Sequence, residues 1–190
     1  MSEARIGRIV VASLHQAIAD IEPMRLDFYE NWLSSSGLRH GTIGLAPMSG
    51  VLGFLRREET YDLITQRAGQ YAAAWTIANL PATRKLTLRM APDRWRTWSA
   101  LRLARQIIRD TYPTTRPVVA NRRGSATIEI RGSLFCEVRG PTEYPLCGFY
   151  AAAVSRVFEL LQVPAETEIS GCRAVGRKSC LLTVVVQKPA

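Results

Sequence analysis

The chain has 190 residues, 47% of them hydrophobic, and a net charge of +9 from 25 Lys+Arg against 16 Asp+Glu. That length fits one domain with a sizeable core of its own, and the composition is that of a soluble globular protein. No apolar run approaches the length needed to span a bilayer. The basic excess suits nucleic acid, an anionic membrane surface or an acidic ligand. The cations are spread along the chain without a run of five or six, and no nucleic-acid-binding motif accompanies them, so nucleic acid is not expected as a partner.

Residues 3–21 read as an amphipathic helix; lacking a charged leader and a small-residue cleavage site, they do not read as a signal peptide, and a cytoplasmic location follows by default. A second short helix is expected over 24–34, stopping at the SSSG of 34–37. Gly41, Gly44, Pro47, Gly50 and Gly53 point to loop and short helix over 41–55. A longer helix begins near Glu58 and runs to Asn79, with Pro81 at or just beyond its end. Gly69 and Ala72–Ala74 give it a small-residue patch where another helix can come close. Residues 82–91 carry no clear pattern. Asp93 opens a strong helix in which Trp95, Trp98, Leu101, Ile108 and Tyr112 fall near helical spacing, with Arg94, Arg96, Arg102, Arg105 and Arg109 on other faces. Pro113 and Pro117 end it.

After residue 120 the period changes to two. SATIEIRG (125–132) and SLFCEVRG (133–140) alternate and are joined through Gly132-Ser133, which predicts a hairpin. LCGFYAAAVSRVFELLQ (146–162) predicts an amphipathic helix. ETEISGCRAV and KSCLLTVVVQ predict two more strands turning at Gly176-Arg177. The expected fold is α+β in one domain, 1–190: a helical half (1–120) packed on a small antiparallel sheet, with a strand–strand–helix–strand–strand core over 124–187.

Four cysteines fall in that core: Cys136, Cys147, Cys172 and Cys180. A three-residue loop over 175–177 would place Cys172 directly opposite Cys180, about 4.5–5.5 Å apart at Cβ. A two-residue loop would turn them to opposite faces. Three chemistries are open to them: small buried hydrophobes, metal ligands, or a disulfide, the last disfavoured in a reducing compartment. Cys147 opens the intervening helix and could bring a third thiolate. Cys136, Glu166 and Glu168 are the further candidate ligands.

The hairpin–helix–hairpin block, GSLFCEVRG…PLCGFYAAAVSRVFELL…ETEISGCRAVGRKSCLLTVVV, resembles the 4-vinyl reductase domain family. The pattern that carries the resemblance is a Cys before a helix rich in small and aromatic residues, then Cys-x3-Gly-x3-Cys across the last hairpin. Those positions are Cys147, Cys172, Gly176 and Cys180. The SLFC and CGFYAAAVSRVFELL segments are most similar to the bacteriochlorophyll 4-vinyl reductase branch. The resemblance implies a fold like the small subunits of vesicle-trafficking (transport protein particle) complexes, often dimeric. It also implies a structural zinc held by three cysteines and a glutamate in sensor members. Cys147, Cys172 and Cys180 match the thiols; the glutamate position is Ile169 here, with Glu168 one residue back. Either a bulge at Ser170-Gly171 restores Glu168, or Cys136 takes its place, or zinc is absent.

No hydride-donor fingerprint accompanies the reductase resemblance: there is no GxGxxG after a strand, no P-loop and no flavin-type motif. His15 and His40 have no obvious catalytic partners. Vinyl reduction by this chain would need a borrowed cofactor. The expected function is therefore binding of a tetrapyrrole or other apolar aromatic ligand between the helical half and the sheet, in support of a biosynthetic partner enzyme. Trp75, Trp95, Trp98, Phe149 and Tyr150 are the candidate walls, and Arg96, Arg102 or Arg105 the candidate carboxylate partners. The alternative is a ligand-free homodimeric scaffold using the first helix and the Gly69/Ala72–Ala74 patch.

Overall fold

A computed structural model describes residues 5–33, 43–122, 124–137 and 140–187. The 34–37 stop of the second predicted helix, His40, and Val138-Arg139 of the predicted strand lie outside the described residues. The helices are α1 (Arg8–Ile21), α2 (Leu26–Leu33), α3 (Leu45–Leu55), α4 (Tyr61–Ala78), α5 (Ala82–Met90), α6 (Asp93–Arg109) and α7 (Gly148–Leu160). The strands are β1 (Arg116–Arg122), β2 (Ser125–Arg131), β3 (Ala165–Gly171) and β4 (Cys180–Val186), in one antiparallel sheet of order β1-β2-β4-β3. The fold is α+β as expected, six helices leading and α7 set between the two strand pairs.

α4 and α7 form the most extensive helix pairing in the molecule. Gly69 makes it possible: a Cβ there would sit 2.2 Å from the Phe149 carbonyl oxygen, so only glycine lets the two backbones come this close. The small-residue patch of α4 is thus used inside the chain, with Ala72 and Ala73 also buried. α1 packs on α4 through Val10, Leu14, Ala17 and Ile18, all buried. Each of the larger of these side chains contributes roughly 1.5–3 kcal/mol by leaving water. Both surfaces suggested for a dimer interface are therefore covered within the chain.

One face of the sheet joins this core: Ala126, Ile128 and Ile130 of β2 alternate with half-buried residues, and Cys180, Leu182 and Val184 of β4 do the same. The opposite face is more open, with Val118 and Val185 exposed.

Three expectations need correction. The 41–55 segment is mostly helix, because Pro47 sits in the first turn of α3, where a backbone N–H has no partner to lose, and Met48, Val51, Leu52 and Leu55 make a buried face. Residues 82–90 form α5, capped by Pro81. The first hairpin pairs Arg116–Arg122 with Ser125–Arg131, not 125–132 with 133–140, so strand structure begins inside the segment assigned to the helical half. β1 is an edge strand, which is why it accommodates Pro117. Within the 133–140 segment, the described residues 133–137 form no strand because Leu134, Phe135 and Cys136 are buried in succession, which a period-two strand with one open face cannot do. Gly132, at φ +66°, turns the chain out of the sheet before them.

Candidate functional site

The four cysteines converge. Cys147 caps the N-terminus of α7, Cys172 and Cys180 face each other at the base of the β3–β4 connection, and Cys136 ends the turn after β2. Their sulfurs all lie within 4.8 Å of one another, and all four residues are buried. Cys136 Sγ is 3.4 Å from both Cys172 Sγ and Cys180 Sγ, and Cys172 and Cys180 are 4.0 Å apart. A tetrahedral ion with bonds of about 2.3 Å to sulfur needs sulfurs about 3.8 Å apart. The separations among Cys136, Cys172 and Cys180 fall within about 0.4 Å of that spacing and all six within about 1 Å, and the donors are the soft, closed set that suits a structural zinc-type site.

Local structure holds each corner. The connection after Cys172 is a 3-10 turn, Arg173–Val175, closed by Gly176 at φ +89°. It is longer than the expected three-residue loop, yet it keeps the two thiols on one face. The Arg173 N–H points at Cys180 Sγ at 3.4 Å, and the Arg177 N–H donates to the Cys172 carbonyl at 3.2 Å. The Cys136 turn is pinned by its own N–H to Ser133 Oγ at 3.2 Å and by Arg56, whose guanidinium donates to the Phe135 carbonyl at 2.9 Å. Hydrogen bonds from Cys136 and Cys147 pull the Cys172 and Cys180 thiols below their ordinary range. Contact with its three neighbours, together with burial, pushes Cys147 up. Each thiolate in such a set opposes the next, and a dication would favour the thiolate at every corner.

Glu168 is not among them. β3 does shift register between Ile169 and Gly171, where a bulge was anticipated, but Glu168 pairs with Thr183 and its side chain is exposed. Cys136 occupies the fourth corner.

The candidate wall residues are dispersed. Phe149 and Tyr150 are fully buried; Phe149 stacks on Phe135 at 4.6 Å and Tyr150 meets Phe135 edge-on at 5.4 Å. Both are packed in the core against Phe135, the residue before Cys136. Trp75 stacks on Tyr71 at 5.3 Å on the outer side of α4. Trp95 and Trp98 stay 68% and 54% exposed on α6. Trp98 and Arg102 do come together, with the guanidinium carbon 5.3 Å from the indole centroid. They line a groove of about 490 Å³ between α6 and β1, shared with Arg105, Arg109, Val119 and Asn121. Arg96 points elsewhere, toward the Gln162 carbonyl at 3.3 Å. Arg109, placed on a face of this helix from sequence, was not among the candidate carboxylate partners, although the 98-102-105-109 spacing puts it on the same helical stripe. His15 pairs with Glu30 at 2.9 Å, exposed and away from the thiols.

No family model matches the chain, and no curated protein matches it by sequence. These comparisons do not support the 4-vinyl reductase resemblance, which rests on the sequence pattern alone. Solved structures do match in fold. An H-NOX protein from K. algicida, Fe(II) unliganded, aligns with TM-score 0.59 at 14% identity over 97% of this chain and 98% of its own. The phenol-responsive sensory domain of the transcription activator PoxR, solved with phenol, aligns with TM-score 0.53 at 11% identity over 73% of this chain and 74% of its own. A trafficking protein particle complex subunit 3 from Naegleria fowleri, covalently bound to palmitic acid, aligns with TM-score 0.50 at 10% identity over 94% and 96%. At these identities the likeness is one of fold, and it includes the trafficking-subunit fold that the family resemblance implied.

Proposed function

We propose that this chain is a non-catalytic, small-molecule-binding module clamped by a structural zinc. Cys136, Cys147, Cys172 and Cys180 hold the metal, and four protein ligands leave it no open position for substrate or water. The ligand is a planar aromatic carboxylate of the tetrapyrrole class. It lies in the α6–β1 groove, with Trp98 as the flat wall and Arg102 and Arg105 pairing its carboxylates. The observation that carries this reading is that groove: one exposed indole with a guanidinium stacked on it and two further arginines beside it, in a volume of ligand-pocket size. Neighbours in fold support it in kind, since one was solved with phenol and another with bound palmitic acid. The module would present its ligand to a biosynthetic partner enzyme, which supplies any hydride chemistry.

Titration of the chain with a magnesium porphyrin bearing free carboxylates tests this. Saturable tryptophan quenching with a visible band shift, at one ligand per chain, is expected. The paired Arg102→Ala, Arg105→Ala variant should weaken it by tenfold or more, since each charge-assisted pair contributes about 1.5–3 kcal/mol. No saturable change, or an unchanged affinity in that variant, would refute the site. The ligand-free scaffold remains the second reading. With α1 and the Gly69 patch covered, a homodimer would use the open sheet face around Val118 and Val185.

A further inference from the structure

Beyond the ligand groove, α5 and the N-terminal end of α6 expose a continuous apolar ridge. Leu86 is 60% exposed and Met90 80%, on the outer side of a helix whose inner side buries Leu88. Met90 and Leu86 share one shallow hollow with Trp95, and Trp95 shares the next with Trp98. Four large apolar side chains thus lie together in solvent, which a monomeric soluble surface rarely tolerates without a use. The ridge is also flanked by cations. Residues 82–109 contain eight Lys+Arg and one Asp, a net +7 of the chain's +9. The single carboxylate, Asp93, is paired with Arg96. No run of like charge marks this in the sequence because spacing of three or four residues lays the cations along helix faces instead.

We propose that the α5–α6 hairpin is a docking surface for an anionic lipid bilayer. Leu86, Met90 and Trp95 enter the headgroup boundary, and Arg84, Arg89 and Arg94 meet the lipid phosphates. Three features favour a bilayer over other anionic partners. Tryptophan beside aliphatic side chains, ringed by arginine, is the pattern that an interface rewards, the indole at headgroup depth and the long cationic stems snorkelling outward. A nucleic acid would reward the cations and the indoles but not Leu86 and Met90. Two copies meeting ridge to ridge would bring two sets of the flanking cations Arg84, Arg89 and Arg94 together.

The test is co-sedimentation of the full chain with vesicles of phosphatidylcholine alone and of phosphatidylcholine with about one third phosphatidylglycerol. Partitioning at least tenfold stronger into the anionic vesicles, and weakening as salt rises, is expected, since each cation near such a surface contributes about fivefold. Two exposed double variants separate the parts: Arg84→Glu with Arg89→Glu, and Leu86→Ser with Met90→Ser. Each should lower partitioning tenfold or more. None of these four residues lines the α6–β1 groove, so porphyrin titration of the same variants should be unchanged; the two readings can therefore fail separately. Absence of binding to anionic vesicles would overturn the proposal, as would equal partitioning into neutral ones or full retention in both variants. So would binding to an oligonucleotide, or self-association, that these variants abolish while vesicle binding is absent.

Discussion

Replacing Cys136 with alanine removes one corner of the thiol cluster and leaves the other three sulfurs in place. Cys136 is the corner that touches both Cys172 and Cys180 at 3.4 Å, so its loss opens the side of the tetrahedron that faces the β3–β4 connection. A structural zinc contributes about 10–16 kcal/mol at neutral pH, which is about 3 kcal/mol per ligand, or about a hundredfold in dissociation constant. Where the metal saturates the wild type, the same loss lowers the melting temperature by about 6–12 °C for a chain of this size. Glu168→Gln is the matched control. Its carboxylate is exposed on β3 and lies outside the cluster, so affinity should change by less than about 0.5 kcal/mol and the melting temperature by less than about 2 °C. The assays are metal per chain by mass spectrometry, competition with a chromophoric chelator, and thermal scans with and without chelator. Zinc affinity unchanged in Cys136→Ala, or lost in Glu168→Gln, would refute the four-thiol assignment. Failure of the wild type to retain zinc would reduce the cysteines to core packing.

Acidification should release the metal. Only the thiolate form binds the metal, and protons compete for it, so the stability the metal gives is present at high pH and lost as pH falls; zinc release followed from pH 8 to 5 checks the sign. Gly69→Ala should destabilise by about 1–3 kcal/mol despite the better helix propensity of alanine, because its Cβ would meet the Phe149 carbonyl oxygen at 2.2 Å; denaturant unfolding measures it, and unchanged stability would show that α4 and α7 separate freely. Two of the buried tyrosines, Tyr61 and Tyr150, should differ. Tyr61 donates to the Leu146 carbonyl at 3.2 Å, so Tyr61→Phe should cost about 1 kcal/mol, whereas the Tyr150 hydroxyl is buried near Thr111 and Ser133 without a hydrogen bond of good geometry to either, so Tyr150→Phe should be neutral or stabilise by about 1 kcal/mol. Burial raises both phenols, so their contribution is full below the ordinary tyrosine range near 10 and falls as pH rises past it; the onset of alkaline unfolding should move to higher pH in Tyr150→Phe.

Much of the fold was legible because periodicity is local. The alternation of SATIEI and CLLTVVV, and the helical spacing of Phe149, Ala153 and Val157, depend only on which face each residue must bury. The three-cysteine core of the site was legible for the same reason, through Cys147 at a helix start and Cys172 and Cys180 across a hairpin. Where burial departs from period, local reading failed. Leu134-Phe135-Cys136 looks like a strand and is a turn driven into the core, while the real partner strand, Arg116–Arg122, was hidden by a proline that only an edge position accommodates.

The sequence by itself determined the α+β order of elements, the glycine that α4 must carry, and the supply of thiols. The tertiary structure decided which of those groups meet. It turned Phe149 and Tyr150 inward, left Trp95 and Trp98 outside, and chose Cys136 over Glu168. A strand fixes the face of each side chain to within one residue, but the fourth ligand comes from a turn whose path depends on what the core has room to bury.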